Sequence, residues 1–298
     1  MYHNPVLLKE ALEGLDIRPE GIYADMTFGG GGHSKAIFEK LTTGKLYAFD
    51  QDEDAQPNAW SDERFVLIPQ NFRYLKKYMR YYKAIPVDGI LADLGVSSHQ
   101  FDEASRGFST RFDADLDMRM NRQAGLSAKE VINEYSENEL QHIFHYYGEL
   151  PHPKKAASLI VAQRKRAPIN TIEELKNSVK SIITWGKENQ YYAQLFQALR
   201  IEVNEELEVL KEMLIQSGEV LKPGGRLVVI SYHSLEDRLV KDFITKGNFE
   251  GKEEKDLFGN LLNCPFRPLN KKPIIAGDIE LKENPRSRSA KLRIAIKN

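Results

Sequence analysis

Cysteine is nearly absent: Cys264 is the single thiol among 298 residues. That excludes an intrachain disulfide framework and fits a reducing compartment. Long apolar runs are missing too. No stretch of about 18 apolar residues could cross a bilayer, and the opening Met-Tyr-His-Asn-Pro lacks the pattern of a secretory leader. A cytoplasmic protein with no membrane partner is expected. Excess charge is also lacking, since 42 Lys and Arg face 43 Asp and Glu for a net charge of −1. Any surface for a polyanion must therefore be local. His142, His145 and His152 have no cysteine or carboxylate partners at a metal-ligand spacing, so no metal is expected. There is no internal repeat.

What the chain does have is a glycine run between two acids. Asp25-Met26-Thr27-Phe28 leads into Gly29 to Gly32, then His33-Ser34. The apolar residues before the run read as a short strand. Ile37, Phe38 and Leu41 after it carry a helical spacing. Strand, glycine turn and helix open a nucleotide-type βαβ unit. The dinucleotide spacing Gly-x-Gly-x-x-Gly is not met, because its third position falls on Ser34 or Lys35. Asp25, at the strand tip, would repel a pyrophosphate but could hold an ammonium or sulfonium. A second strand ends on Asp50, placed to accept hydrogen bonds from ribose hydroxyls. Acid, glycine turn, helix, strand and acid together describe a site for S-adenosylmethionine (SAM).

The rest of the pattern extends this unit. Short apolar strands are expected at Ile22–Asp25, Leu46–Asp50, Phe65–Ile68, Asp88–Asp93 and Arg226–Ser231, alternating with helices. Val6–Leu15 reads as an amphipathic helix with Asn4 as its cap. A single long helix is expected from about Phe196 to Val220, and Lys291–Ile296 suits an antiparallel edge strand. The fold class is α/β, a doubly wound parallel sheet. From 105 to 192 strand signals vanish and three capping boxes appear, Ser127-x-x-Glu130, Ser136-x-x-Glu139 and Thr171-x-x-Glu174. Another helix is expected from Pro153 to Arg166. Residues 1–104 and 193–298 thus read as the SAM-binding domain, with 105–192 an inserted helical domain for substrate recognition. Residues 246–284 look largely irregular.

Several stretches could carry chemistry. Asp93 lies at the fourth strand's tip, with Ser97, Ser98 and Gln100 following. The Asp/Asn/Ser-Pro-Pro-aromatic tetrapeptide of many amino-directed methyltransferases is absent there. Ser97 and Ser98 read equally well as helix caps. Phe72, directly after the third strand, could line an adenine pocket. It opens Asn71–Lys83, which holds five cations, five aromatics and no acid. That composition suits bases and phosphates, although its lysines read more simply as a solvated helix face. Further basic clusters are Lys154, Lys155 and Arg164 to Arg166, and a tail with Arg286, Arg288, Lys291, Arg293 and Lys297. After the fifth strand, Tyr232 and His233 would sit beside a donor methyl group, or His233 would be a structural histidine.

Taken together these motifs resemble a known family. Pro5-Val6-Leu7-Leu8-x-Glu10, Asp25-x-Thr27-Phe28-Gly29-x-Gly31-Gly32-His33-Ser34, Asp93-Leu94-Gly95-Val96-Ser97-Ser98 and Arg106-Gly107-Phe108-Ser109 occur in order. Leu116-Asp117-Met118-Arg119-Met120, His233-Ser234-Leu235-Glu236-Asp237-Arg238 and Asn284-Pro285-Arg286-x-Arg288-Ser289 follow. The set is similar to the bacterial MraW/RsmH family of 16S ribosomal RNA cytosine N4-methyltransferases. The resemblance implies a class I SAM-dependent methyltransferase sheet and a decoding-region cytosine of the small ribosomal subunit as target. It implies SAM contacts at Gly31, Gly32, His33, Asp50, Phe72, Asp93 and Gln100. Asn58-Ala59-Trp60 departs from the alanine-rich helix usual after the second acid. Asp93 is the foremost candidate to face the target amine, with His233 and Asp117 behind it. A methyltransferase for DNA cytosine or a small molecule, and a non-catalytic SAM-binding RNA assembly factor, stay open, as does a homodimer.

Methylation at ring carbon 5 would require a cysteine nucleophile, and Cys264 lies far along the chain from either strand-end loop. Cys264→Ala is accordingly expected to leave methyl transfer from labelled SAM intact. A dead variant would restore the carbon-5 reading.

Overall fold

The apolar residues of each predicted strand alternate between two cores, and that alternation builds the sheet. A computed structural model describes residues 5–298 apart from 124, 257, 258, 260 and 261. The chain divides into two compact units, Met1–Gly95 with Leu207–Asn298, and Val96–Glu206. In the first unit the strands are β1 (Ile22–Asp25), β2 (Lys45–Phe49), β3 (Phe65–Ile68), β4 (Val87–Asp93), β5 (Leu221–Ser231), β6 (Phe266–Pro268) and β7 (Lys291–Lys297). They form one sheet in the order β3-β2-β1-β4-β5-β7-β6. The first five run parallel, and β7 is antiparallel to both β5 and β6. This is the doubly wound, mostly parallel sheet expected.

One face carries Ala24, Phe49, Ile90, Ala92 and Val229. It packs on helices α3 (Leu75–Tyr81), α10 (Glu206–Val220) and α11 (Ser234–Lys246). The opposite face carries Tyr23, Ala48, Leu91, Val228 and Ile230, covered by α1 (Leu8–Leu15) and α2 (Gly32–Phe38). Each fully buried Leu, Ile or Phe contributes roughly 1.5–3 kcal/mol. The sheet is covered on both faces, so the central strands β1 and β4, which carry the glycine turn and Asp93, are buried on both sides.

The second unit is helical: α4 (Ser98–Asp102), α5 (Ala128–Glu134), α6 (Glu137–Tyr146), α7 (Pro153–Arg164), α8 (Ile172–Val179) and α9 (Glu188–Asn204). Leu116, Val131, Leu140, Phe144, Ile160 and Leu195 are among its buried residues. All three capping boxes form, at Ser127, Ser136 and Thr171. The stretch expected to be inserted, 105–192, falls inside this unit, which also takes in α4 and the rest of α9.

The structure corrects four expectations. The long helix is two helices, because Glu205 takes a left-handed conformation, φ 50°, between α9 and α10. The last strand is not at the edge: β6 pairs outside it, and it comes from the stretch expected to be irregular. That stretch also yields α12 (Asp278–Glu283), whose Glu280 accepts the Leu7 N–H at 2.7 Å. Finally, α1 starts at Leu8 after a left-handed Leu7, and the proposed cap Asn4 lies outside the described residues.

Ser127 accepts from Glu130 N–H while Glu130 Oε2 accepts from Ser127 N–H at 2.6 Å. Ser127→Ala is expected to cost about 1 kcal/mol, read as a lower urea midpoint with an unchanged m-value. No shift in midpoint would show that the box contributes nothing.

Candidate functional site

The glycine turn is held from below by Asp25. Its Oδ1 accepts the Thr27 N–H at 3.0 Å and its Oδ2 the Ser34 hydroxyl at 2.6 Å. The carboxylate is fully buried, and burial pushes its pKa up against those hydrogen bonds. Enclosed as it is, it shapes the turn. Thr27 carries the link onward, its Oγ1 accepting the Asp93 N–H at 2.7 Å. Gly29 and Gly31 sit at φ 50° and 77°, a region any β-carbon disfavours. Gly30 and Gly32 are exposed, so their backbone is open to a ligand.

Asp50, just beyond β2, closes the other side. Its Oδ2 accepts the Gly29 N–H at 2.7 Å and its Oδ1 the Asp52 N–H at 2.9 Å. Burial raises its pKa to about 6. The departure at Asn58-Ala59-Trp60 belongs to this wall. No α-helix follows Asp50; residues Glu53–Asn58 make 3-10 turns containing Pro57. Asn58 Nδ2 donates to Gly29 O at 2.9 Å, and Trp60 stacks on Phe65 with centroids 3.9 Å apart. After β3, Asn71 caps a short turn and donates to Gln51 Oε1 at 3.0 Å. That ties Phe72, half-buried against the core, to the loop behind Asp50.

Asp93 stands at the tip of β4, its side chain 22% exposed. Tyr232 donates its hydroxyl to Asp93 Oδ1 at 2.7 Å. Burial, then the neighbouring carboxylate, drives the Tyr232 pKa well above its ordinary value, so it remains a donor. The other oxygen, Oδ2, lies 3.6 Å from His33 Nδ1. His33 Nε2 is 3.0 Å from Val6 O, which can only accept. His33 Nε2 therefore donates to Val6 O, and Nδ1 is the ring nitrogen that faces Asp93 Oδ2. Burial raises the Asp93 pKa to about 6, so at neutral pH it is ionised. An ionised carboxylate there suits the N–H groups of an amine or ammonium.

The remaining expected residues are placed differently. His233 caps α11, its Nδ1 3.4 Å from Glu236 N–H, while Glu236 Oε2 accepts the Tyr232 N–H at 2.8 Å. His233 serves here as a helix cap, and Glu236 steadies the Tyr232 backbone. In the second unit, Gln100 Oε1 accepts the Ser97 N–H at 2.9 Å within a capping box. Asp117 forms a two-pronged pair with Arg119, Nε to Oδ1 at 2.7 Å. The basic clusters are partly structural. Arg164 donates to Ile132 O at 2.6 Å, and buried Arg293 donates to Asp237 Oδ1 at 2.6 Å. Sequence reasoning missed Thr27, Ser34 and Asn58 as supports. Asp25-x-Thr27 carries an Asx-turn signal that could have found Thr27. No local signal marks the other two.

The group these residues would hold must be cationic near Asp93 and carry hydroxyls near Asp50. Open glycine backbone and two desolvated carboxylates fit SAM. Comparison with known proteins agrees. The family model described as the MraW methylase family matches residues 1–298. Ribosomal RNA small subunit methyltransferase H of Christiangramia forsetii is 59% identical over 297 residues, covering 99% of this chain and 98% of that one. The enzyme of the same name from Parabacteroides distasonis is 57% identical over 298 residues, covering 99% and 97%. Solved structures align more loosely. An rRNA methylase from Streptococcus thermophilus gives a TM-score of 0.44 at 13% identity, covering 97% of this chain and 94% of that one.

The two carboxyl groups at about 6 fix a pH dependence. Their pKa values are raised, so the negative charge is present above pH 6 and lost below it. Calorimetry from pH 8 to 5 should show SAM affinity falling below pH 6, more steeply than that of its uncharged-sulfur product S-adenosylhomocysteine. Parallel curves for the two would remove the charge argument at Asp93.

Proposed function

Since the chain belongs to the MraW methylase family, we propose that it moves the methyl group of SAM to the exocyclic N4 of a cytosine in the decoding region of 16S ribosomal RNA. At the coarser level it is a SAM-dependent rRNA methyltransferase, the activity named for relatives 57–59% identical to it along almost their whole length. The substrate would be the RNA within the small ribosomal subunit, in the cytoplasm. Among the described residues no helix is long and apolar enough to cross a membrane.

The observation that supports the N4 reading is the Asp93 carboxylate at the tip of β4, with Oδ1 held by Tyr232 and Oδ2 3.6 Å from His33 Nδ1. When bound, SAM supplies an electrophilic methyl group on a positively charged sulfur. We assign its ribose hydroxyls to Asp50, its adenine to Phe72, and its remaining contacts to the Gly31 and Gly32 backbone, His33 and Asp93. Gln100 and Asp117, in the helical unit, are proposed contacts of the cofactor and the RNA respectively. Asp117 would act with the Arg119 guanidinium already bound to it.

The exocyclic amine of cytosine is a poor nucleophile because its lone pair is delocalised into the ring. Asp93 Oδ2, ionised at neutral pH, can accept one of its N–H groups and favour the tetrahedral nitrogen that attack requires. Once the new N–C bond has formed the nitrogen must shed a proton. Asp93 is placed to take it, and general-base help of this kind contributes roughly 10²–10⁴-fold. Tyr232 fixes the carboxylate's rotation through Oδ1 and leaves Oδ2 for this work. Positioning of amine and methyl in line supplies the larger share, up to about 7–11 kcal/mol. A thiol has no part in this scheme. The Cys264 Sγ donates to Phe266 O at 3.1 Å, and burial raises its pKa, away from thiolate.

Asp93→Asn keeps the shape but removes the charge and the proton acceptor. It is expected to cut transfer to small subunits from enzyme-deficient cells about 10²-fold or more, with S-adenosylhomocysteine binding retained. Mass spectrometry of the digested 16S RNA should place the methyl on N4. Near-normal turnover of the variant, or a methyl group on carbon 5, would overturn the proposal.

A further inference from the structure

Beyond Phe72 the chain presents a surface that the methyl-transfer site does not use. Asn71–Lys83 contains Arg73, Lys76, Lys77, Arg80 and Lys83 and no acid. The structure sorts these cations into two groups. Arg73 is clamped by Glu212, Nη2 to Oε1 at 2.7 Å and Nε to Oε2 at 3.0 Å, and Lys76 pairs with Glu219. Those two hold α3 against α10. Lys77, Arg80 and Lys83 are exposed and have no carboxylate partner among the described residues.

The aromatics divide in the same way. Tyr78 packs against the core and Phe49, and Tyr82 tilts on Tyr47 at 5.3 Å. Tyr74 and Tyr81 stay out, 43% and 76% exposed. Lys77 Nζ stands 5.6 Å from the Tyr74 ring. Core-packed aromatics and paired cations fix the helix in place. Tyr74 and Tyr81 keep large parts of their rings in solvent, with Tyr81 edge-on to Tyr82 at 5.0 Å, and Lys77, Arg80 and Lys83 form no ion pair among the described residues. Exposed planar rings interleaved with free cations are the elements of a single-strand nucleic acid platform, rings for bases and cations for phosphates.

We propose that the exposed face of α3 and the turn after it is a docking surface for a single-stranded RNA segment flanking the methylated nucleotide. Charge complementarity selects a polyanion. The tyrosines select one with stacking bases over a lipid headgroup or an acidic protein face. Its position selects the same RNA as the active site, for α3 follows directly from Asn71 and Phe72, which are tied to the Asp50 loop. The inference rests on the rRNA-methyltransferase reading and adds a second contact region to it.

The test uses the full chain with three changes, Lys77→Ala, Arg80→Ala and Lys83→Ala, and separately Tyr81→Ala. Binding of labelled 16S rRNA and of small subunits from enzyme-deficient cells is followed across salt, beside SAM calorimetry and steady-state kinetics. The triple variant should weaken RNA binding about tenfold or more, and its log–log salt slope should fall by about 2 for three lost phosphate contacts. KM for RNA should rise with kcat and SAM affinity unchanged. Tyr81→Ala should weaken binding with the slope unaltered. Restoring charge with Lys77→Arg and Lys83→Arg should recover binding. Wild-type salt slope and KM in the triple variant, with SAM binding intact, would overturn the proposal. So would lost binding to phosphatidylglycerol vesicles with RNA binding unchanged, which would mark a lipid surface. A wild-type protein that binds RNA but never methylates it would refute the catalytic reading alone, since the binding comparison needs no turnover.

Discussion

The site depends on one hydroxyl. Thr27 Oγ1 accepts the Asp93 N–H at 2.7 Å, and the Thr27 backbone N–H is in turn held by Asp25. This joins the tips of β1 and β4, adjacent strands whose ladder ends where these residues begin. Backbone bonds continue the join: Met26 N–H donates to Leu91 O and Phe28 N–H to Phe49 O. Without such ties the two loops would end as unconnected chain. With them, the glycine turn, Asp50 and Asp93 hold fixed relative positions before any ligand arrives. Preorganisation of that kind lowers the cost of ordering on binding.

Three carboxylates gathered at one end of a sheet would ordinarily repel one another and resist burial. Here each is matched to a different set of donors. Asp25 receives a threonine N–H, that threonine's hydroxyl at 3.4 Å and a serine hydroxyl, and Asp50 two backbone N–H groups. Asp93 receives one phenol. The donors decrease in number from the interior outward, and the least satisfied carboxylate is the one left to act on a substrate. A cation would relieve the residual charge, which agrees with a positively charged sulfur cofactor and conflicts with a pyrophosphate-led one.

Much of this was legible in the chain, because it is written in local chemistry. Ser127, Ser136 and Thr171 each have Glu three residues on, and each box forms. The strand–glycine–helix unit and the acids at strand tips follow from short-range pattern. What was not legible depends on partners far away in sequence. The helix break at Glu205 has no glycine or proline to announce it. Strand β6 is only Phe266–Pro268 and exists because β7 offers an unpaired edge. Asn58 looked like a departure from an expected helix, yet its amide anchors Gly29 O across 29 residues. His233 was ambiguous on sequence because a strand-end histidine can cap or catalyse. The cap it makes with Glu236 in the same turn is visible only in the fold.

The same distinction applies to the basic residues, and it changes how a neutral chain can be an RNA enzyme. Counted by composition, the cations of this protein cancel against its acids. Counted by partner, many cease to be available: Arg73, Arg164 and Arg293 are consumed by carboxylates or carbonyls that hold helices and strands in place. Arginine suits that role because its planar fork can satisfy two acceptors at once. Lysine suits the other role, since its single strongly hydrated charge meets a phosphate without demanding a fixed geometry. Lys77 and Lys83, exposed and without carboxylates, stand in that second role. A chain of near-zero net charge can thus present a positive surface, provided its acids are spent internally on the arginines. The local field around α3 follows from that partition rather than from the total.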